Sequence, residues 1–491
     1  MQRLLAGLLL VLLVPVSVTG TPPIPVGHQK QVFLDGLLVA RAQGVQMVVH
    51  SPRKTGEILL KADKPWETAI GAFASILQDD EDGLIKLWYE VEDYNRDLAL
   101  ICYATSRDGV HWNKPLLGLH KDSRGSTKNN IVFAGTAFAK KTRVVGGTVM
   151  KDPKAKREER YRFFWLALGA HSPDGLHWTR YPKSLFRGIA ADTHPVVFYD
   201  DRIGRYVAYS RHNVWQPCPP EESRRYTQAV RVRGKQILRR RVMRSESEDG
   251  VNWDEFQPVL VPGDMPDQRA YDFYNSGALK YAWAERAYFL QTSRYHYARN
   301  SLDVQLAVSR DGIHWKRPTK RPFLPLGKSG AFDARGVFVC SGIVRHKDQL
   351  SIYYTGENVG HGSAYVRSLR SGGRGYSISR AVLRLDGFTS MNARSREGTL
   401  TTVPLVFDGD RMELNARMKD GGGIVVAILD ADDSGKTLGL SQMVTGDDVA
   451  STVTWKQDPN WEAISGRPVV LQFKMKEAQL YAFQFLRKTR K

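Results

Sequence analysis

The chain has 491 residues, of which 42% are hydrophobic, and carries 71 Lys and Arg against 51 Asp and Glu, a formal net charge of +20. This composition excludes a disordered chain and permits a large core, while three cysteines exclude a fold built on disulfides and leave at least one thiol unpaired. A positive excess suits nucleic acid in a cytosolic protein, but the N-terminus argues for export, where an anionic polysaccharide, an anionic cell surface or plain solubility explains it better.

Met1-Gln2-Arg3, the apolar run Leu4 to Val16 and the Val18-x-Gly20 ending read as a signal peptide over residues 1–20. No later stretch approaches the roughly 20 apolar residues of a membrane span. Export to the periplasm or the extracellular space is expected. Next comes a strand-like segment, Gln31–Ala40, that belongs to no repeat.

From there a short phrase returns four times: SRDGVHW at Ser106–Trp112, SPDGLHW at Ser172–Trp178, SEDGVNW at Ser247–Trp253 and SRDGIHW at Ser309–Trp315. A worn fifth copy ends in LDGF at Leu385–Phe388. Asp-Gly makes a tight turn between strands, and the Trp begins the next strand. A period of roughly 60 to 75 residues suits a four-stranded propeller blade with one elaborated loop.

Each copy is preceded by the same strands: Ala72–Leu77, Ile85–Glu90 and Leu98–Ser106 in the first, then Val144–Met150 and Tyr161–Leu166 in the second. The third has Pro195–Tyr199, Tyr206–Arg211 and Arg241–Ser247, and the fourth Gly277–Tyr281, Ala287–Ser293 and Val304–Ser309. The fifth has Val337–Arg345, Leu350–Thr355 and Tyr376–Leu385, with Gln31–Ala40 expected to close it. Beyond residue 390, alternating strands at Leu400–Phe407, Arg411–Ala416, Gly423–Leu429, Val453–Trp455, Val469–Met475 and Leu480–Leu486 predict a small β-sandwich. The expected fold is thus all-β: a five-bladed β-propeller over residues 21–390 and a sandwich over 391–491. The sandwich's Asp430, Asp432 and Asp433 read as turn residues, and no metal or cofactor is expected.

A propeller gathers the first residues of its inner strands around one end of its channel. Acids at that register are Glu67, Asp192, Asp272 and Asp333. Second strands end near the same mouth and add Glu90, Arg211-His212, Arg294 with His296, and Glu357 with His361. Arg and His there suit sugar hydroxyls, a carboxylate or a sulfate.

With these turns and inner-strand acids the chain resembles the five-bladed propeller glycoside hydrolases of the family 43, 32 and 117 type that carry a C-terminal β-sandwich. The Asn-Asp-Pro-Asn sequence of family 32 is absent, and Lys151-Asp152-Pro153 falls in the turn after an inner strand, so Asp152 reads as a turn residue. The resemblance implies an exported enzyme that cleaves a glycosidic bond in a poly- or oligosaccharide, neutral or anionic, with a carboxylate base or nucleophile and a carboxylic acid that protonates the departing oxygen. Glu67, behind Trp66, is the preferred acid. Asp272 and Asp192 compete as base with Asp333 in reserve, and the family 117 likeness makes His361 an alternative proton donor. Glu90, Arg211, His212, Arg294, His296 and Glu357 are expected to bind substrate, with no nucleic-acid partner. The alternatives are a non-catalytic carbohydrate-binding propeller, favoured where the inner-strand acids are salt-bridged, and a sialidase-like enzyme, against which the count of five copies argues.

Overall fold

The computed structural model describes residues 22–137, 143–187, 193–217, 232–233, 236–260, 271–433 and 435–487, and their regular structure is almost wholly β-strand. The expected leader and Asp192 lie outside these residues. No described helix is long and apolar enough to cross a membrane. Two compact units form: a larger one of Ser51–Tyr281 and Arg286–Leu385, and a smaller one of the described residues before Ser51, Ala282–Glu285 and those from Asp386 onward.

In the larger unit the repeats give successive antiparallel meanders, as the alternation of aromatic and β-branched residues dictates. The first sheet contains Ile70–Asp79, Leu84–Asp93, Leu98–Ser106 and Ile131–Gly135. Thr148–Lys151, Tyr161–Trp165, Leu168–Ser172 and Thr179–Arg180 form the second, and the third is built on Val196–Asp200, Arg205–Pro217 and Gln236–Ser247. The fourth and fifth repeats merge into one nine-stranded sheet through a parallel contact of Leu302 with Gly336.

Neighbouring repeats are tied by their inner strands. Ser75 Oγ accepts from Val149 N at 2.9 Å, and Thr148 Oγ1 donates to Pro195 O at 2.8 Å. Ser293 Oγ donates to Val337 O at 3.0 Å, and Ile76 N donates to Ser341 O at 2.7 Å, which returns the fifth repeat to the first.

The four Asp-Gly turns are alike in atomic detail. In the first, Gly109 takes φ of 73°, Ser106 Oγ accepts from Gly109 N at 2.8 Å, and Asp108 Oδ1 accepts from the amides of Val110 and His111 at 2.8 Å each. Each turn is then gripped by a side chain of the preceding repeat. Tyr353 OH donates to Gly109 O at 2.8 Å, Trp88 Nε1 to Gly175 O at 2.8 Å, Arg162 to Asp249 O at 2.6 Å and Tyr209 OH to Gly312 O at 2.5 Å. The repeated phrase is therefore a connector between repeats as well as a turn.

Asp152 is a second such connector. It accepts from Tyr206 OH at 2.8 Å and pairs with Arg162 at 2.7 Å, as Asp200 accepts from Tyr288 OH at 2.6 Å and Asp79 from Tyr161.

The N-terminal strand departs from expectation. Gln31–Val32 pairs with Pro468–Leu486 and Val39–Gln43 with Gly398–Thr402, so both belong to the smaller unit and neither closes the fifth repeat. That edge is covered by Arg53–Lys54, paired with Val382 and Ala381. The reason lies inside the segment: Asp35 Oδ1 accepts from Leu37 N and Val39 N donates to Gly36 O, a turn that breaks the strand, while Phe33, Leu34 and Leu38 are buried, Phe33 and Leu38 in the smaller unit's core.

In that unit twelve strands share one sheet. Segments expected as separate strands prove continuous, because Arg411–Asp430 and Pro468–Leu486 pair along their whole length across a bulge between Met418 and Gly423. Gly421, at φ 73°, supplies the left-handed residue that the bulge requires, so the glycine run bends a strand where an end was expected.

Candidate active site

Of the acids expected at the inner-strand starts, the three among the described residues are each held by a cation. Glu67 is wholly buried; its Oε2 accepts from Lys114 Nζ at 2.7 Å and from the amides of Asp63 and Lys64 at 3.0 Å each, and its Oε1 accepts from Tyr89 OH at 2.5 Å. Asp272 lies between Arg239 at 3.0 Å and Arg240 at 3.2 Å. Asp333 pairs with Lys54 at 2.5 Å and accepts from Tyr354 OH at 3.2 Å.

Strand alternation shows why Glu67 and Asp333 stand apart from the second-strand acids. Glu67 bonds Tyr89 and Asp333 bonds Tyr354, whereas Glu90 and Glu357 sit at the opposite parity of the same two strands and face the other way.

Those two glutamates, expected as substrate binders, have the environment of acid/base groups. Glu90 is 2% exposed in space that a Cβ on Gly71 would fill. Burial, and then the carboxylate of Glu92, push its pKa well up, against hydrogen bonds from the amides of Gly146 and Phe73 and the charge of Arg143. Glu92, two residues on and on the same face, is also raised by burial, although Tyr94 OH at 2.8 Å and Tyr365 OH at 3.0 Å both donate to it. Glu357 is 2% exposed; burial raises its pKa while the amides of Val359 at 2.6 Å and Gly360 at 2.8 Å, both on Oε2, oppose the shift. Its Oε1 has no hydrogen-bond partner among the described residues.

The three glutamates share one electrostatic neighbourhood. Burial, then Glu357, then Glu92 raise the phenol of Tyr376, and burial, Glu92 and Glu90 all raise that of Tyr365. Aromatic rings fill the space between: Phe73 lies 5.7 Å from Phe338, which lies 5.8 Å from Tyr376 and 5.9 Å from Tyr274.

His194 stands on Phe73 at 4.6 Å, wholly buried, with neither ring nitrogen bonded among the described residues. Burial lowers its pKa to about 3, so the ring is neutral. His361 stands edge-on to Tyr274 at 4.5 Å, and the guanidinium groups of Arg211 and Arg240 lie over that ring at 4.5 and 5.1 Å. Asp272, by fixing Arg240, positions a cation at this cluster.

The remaining expectations divide. Half-buried His212 has its pKa lowered by burial and by Arg241. Arg294 and His296 both grip Asp303, at 2.7 and 3.0 Å, and so form an ion cluster within their own sheet.

Sequence reasoning missed Glu92, His194, Tyr274, Arg240 and Tyr365. Two had a signal: Glu92 repeats Glu90 at the strand period of two, and His194 lies two residues after Asp192. The arrangement places carboxyls whose pKa values are raised by burial, cations and aromatic faces within one cluster, the kinds of group that acid/base chemistry employs.

No family model and no curated protein matches the chain. Among solved structures it is similar to a family 43 arabinoxylan arabinofuranohydrolase from Bacillus subtilis in complex with cellotetraose, at 14% identity over 89% of this chain and 99% of that one with a TM-score of 0.38. It is also similar to a thermostable family 43 glycoside hydrolase at 13% identity, covering 64% of this chain and 89% of that one, TM-score 0.41, and to a further glycoside hydrolase at 11% identity, covering 68% and 92%, TM-score 0.43.

Proposed function

We propose that this protein is an exported glycoside hydrolase whose larger unit is a five-bladed β-propeller, closed at its fifth blade by Arg53–Lys54, and that it cleaves a poly- or oligosaccharide with Glu90 and Glu357. One observation carries the reading: two buried glutamates with upward-shifted pKa values share a cluster with aromatic faces and arginines. A carboxyl whose pKa is raised by burial is suited to protonate a departing glycosidic oxygen. The other glutamate, once ionised, takes the proton of the incoming water or attacks the anomeric carbon. The Phe73, Phe338 and Tyr274 rings exclude water and offer faces to the sugar, and Arg211 and Arg240 hold its hydroxyls or an acidic substituent.

The test is reducing-end release from plant and sulfated algal polysaccharides by the purified protein and by Glu90→Gln and Glu357→Gln. Turnover by the parent and its loss in both variants, with neither melting below the parent, supports the reading; equal turnover by all three overturns it.

A second reading, a carbohydrate-binding module without catalysis, is favoured by the ion pairs on Glu67, Asp272 and Asp333. It predicts saccharide binding with no new reducing ends.

A further inference from the structure

On the smaller unit a cavity of about 730 Å³ lies on the outer face of the sheet, lined by residues of four adjacent strands and the loops beside them. Arg417 pairs in register with Gln479, Gln479 with Asn392, and Asn392 with Gln46, so the four side chains form one row on one face. The neighbouring rows, Met418–Ala478–Ala393–Val45 and Ala416–Leu480–Met391, point into the core. At strand spacing the polar row is about 14 Å long, enough for an oligosaccharide.

The row is pre-organised. Asn392 Oδ1 accepts from Ser390 Oγ at 2.5 Å, Ser390 in turn bonds His50 Nε2 at 2.6 Å, and Gln479 Oε1 accepts from Tyr481 OH at 2.6 Å. Around it stand Arg394, Arg396, Arg417 and Lys419. Exposed Arg417 pairs with exposed Asp447 at 3.1 Å and exposed Lys419 with half-buried Glu477 at 3.7 Å, contacts that water screens. Arg394 and Arg396 are exposed and have no carboxylate partner among the described residues.

We propose that this groove is a binding site for an acidic oligosaccharide bearing carboxylate or sulfate groups, independent of the acid/base cluster and of whether that cluster is catalytic. Amide side chains both donate and accept, as sugar hydroxyls do, and guanidinium groups bind carboxylate and sulfate through paired donors. Nucleic acid fits poorly, because Tyr481 is only 4% exposed and offers no face on which a base can stack.

The test is affinity electrophoresis of the full chain through polygalacturonate, a sulfated galactan and neutral xylan, beside single-stranded DNA, with Arg394→Ala/Arg396→Ala compared with Arg321→Ala/Lys328→Ala. The second pair removes the same charge from exposed positions of the larger unit. Retention by an acidic gel that falls at least about tenfold in the groove variant and stays in the charge-matched one is the expected result, and the gel that retains more strongly identifies carboxylate or sulfate. Equal loss in both variants, no loss in the groove variant, equal retention by xylan, or stronger binding of DNA overturns the proposal. Because Glu357→Gln should retain the same gels, loss of turnover and loss of groove binding are separable.

Discussion

Two regions of the larger unit use the same residue types in opposite ways. At the four Asp-Gly turns the carboxylates are saturated: Asp249 accepts from the amides of Val251 and Asn252 and from the Asn252 side chain at 2.7 to 2.8 Å. In the aromatic cluster polar atoms are left over, with both nitrogens of His194 and Glu357 Oε1 unbonded among the described residues. Buried polar groups are nearly always satisfied, so those that are not call for an explanation outside the fold. The turns spend their polar groups on structure, and the cluster holds some in reserve for a ligand.

The sharpest break in this comparison comes from Glu357→Gln and Glu90→Gln, each expected to lower turnover between about a hundredfold and ten-thousandfold, the usual worth of general acid–base catalysis. A kcat within a few-fold of the parent's in steady-state assays places the chemistry elsewhere. Glu67→Ala should instead destabilise the fold by about 3 kcal/mol, because it removes the buried carboxylate on which Tyr89 and two amides converge and leaves Lys114 only the half-exposed Asp63. Its activity per folded molecule should hold within a few-fold, read by urea titration beside active-fraction kinetics.

His194→Phe separates reserve from structure. Removing two unbonded nitrogens should leave the melting temperature unchanged or higher, while substrate affinity falls about tenfold, the value of one lost hydrogen bond. Lower stability with unchanged affinity assigns the ring to the core.

The smallest effect concerns pH. At Asp249 burial works to raise the pKa, but the amides of Asn252 and Val251 outweigh it and hold the group at about 2. Its contribution is present above the ordinary carboxylate value of about 3.9 and is lost as pH falls through the folded value. Glu90 and Glu357 have the opposite sign. Their raised pKa values favour folding at low pH, and that advantage fades as pH rises and they are forced to ionise. Asp249→Ala should therefore cost about 1 kcal/mol at neutral pH, whereas Glu90→Gln should raise the melting temperature at pH 8 and not at pH 4. Parallel melting curves across that range for both variants remove the distinction.

What the sequence determined by itself is what is local and repeated. The turn needs only Ser, Asp and Gly at fixed spacing, so all four copies and the strands before them were legible, whereas Asp152, expected as a turn residue, also binds Tyr206 of the next repeat. Strand alternation was legible too, and it would have exposed Glu92 beside Glu90. The choice among buried carboxylates was decided by tertiary structure. Glu67, Asp272 and Asp333 look like free acids in one dimension, and Lys114, Arg239, Arg240 and Lys54 reach them from 47, 33, 32 and 279 positions away. Gln31–Val32 likewise finds its partner at the far end of the chain, in Ala482 and Phe483. Spacing in sequence carries the geometry of a turn, but a carboxyl's charge state depends on which distant cations and amides the fold brings against it.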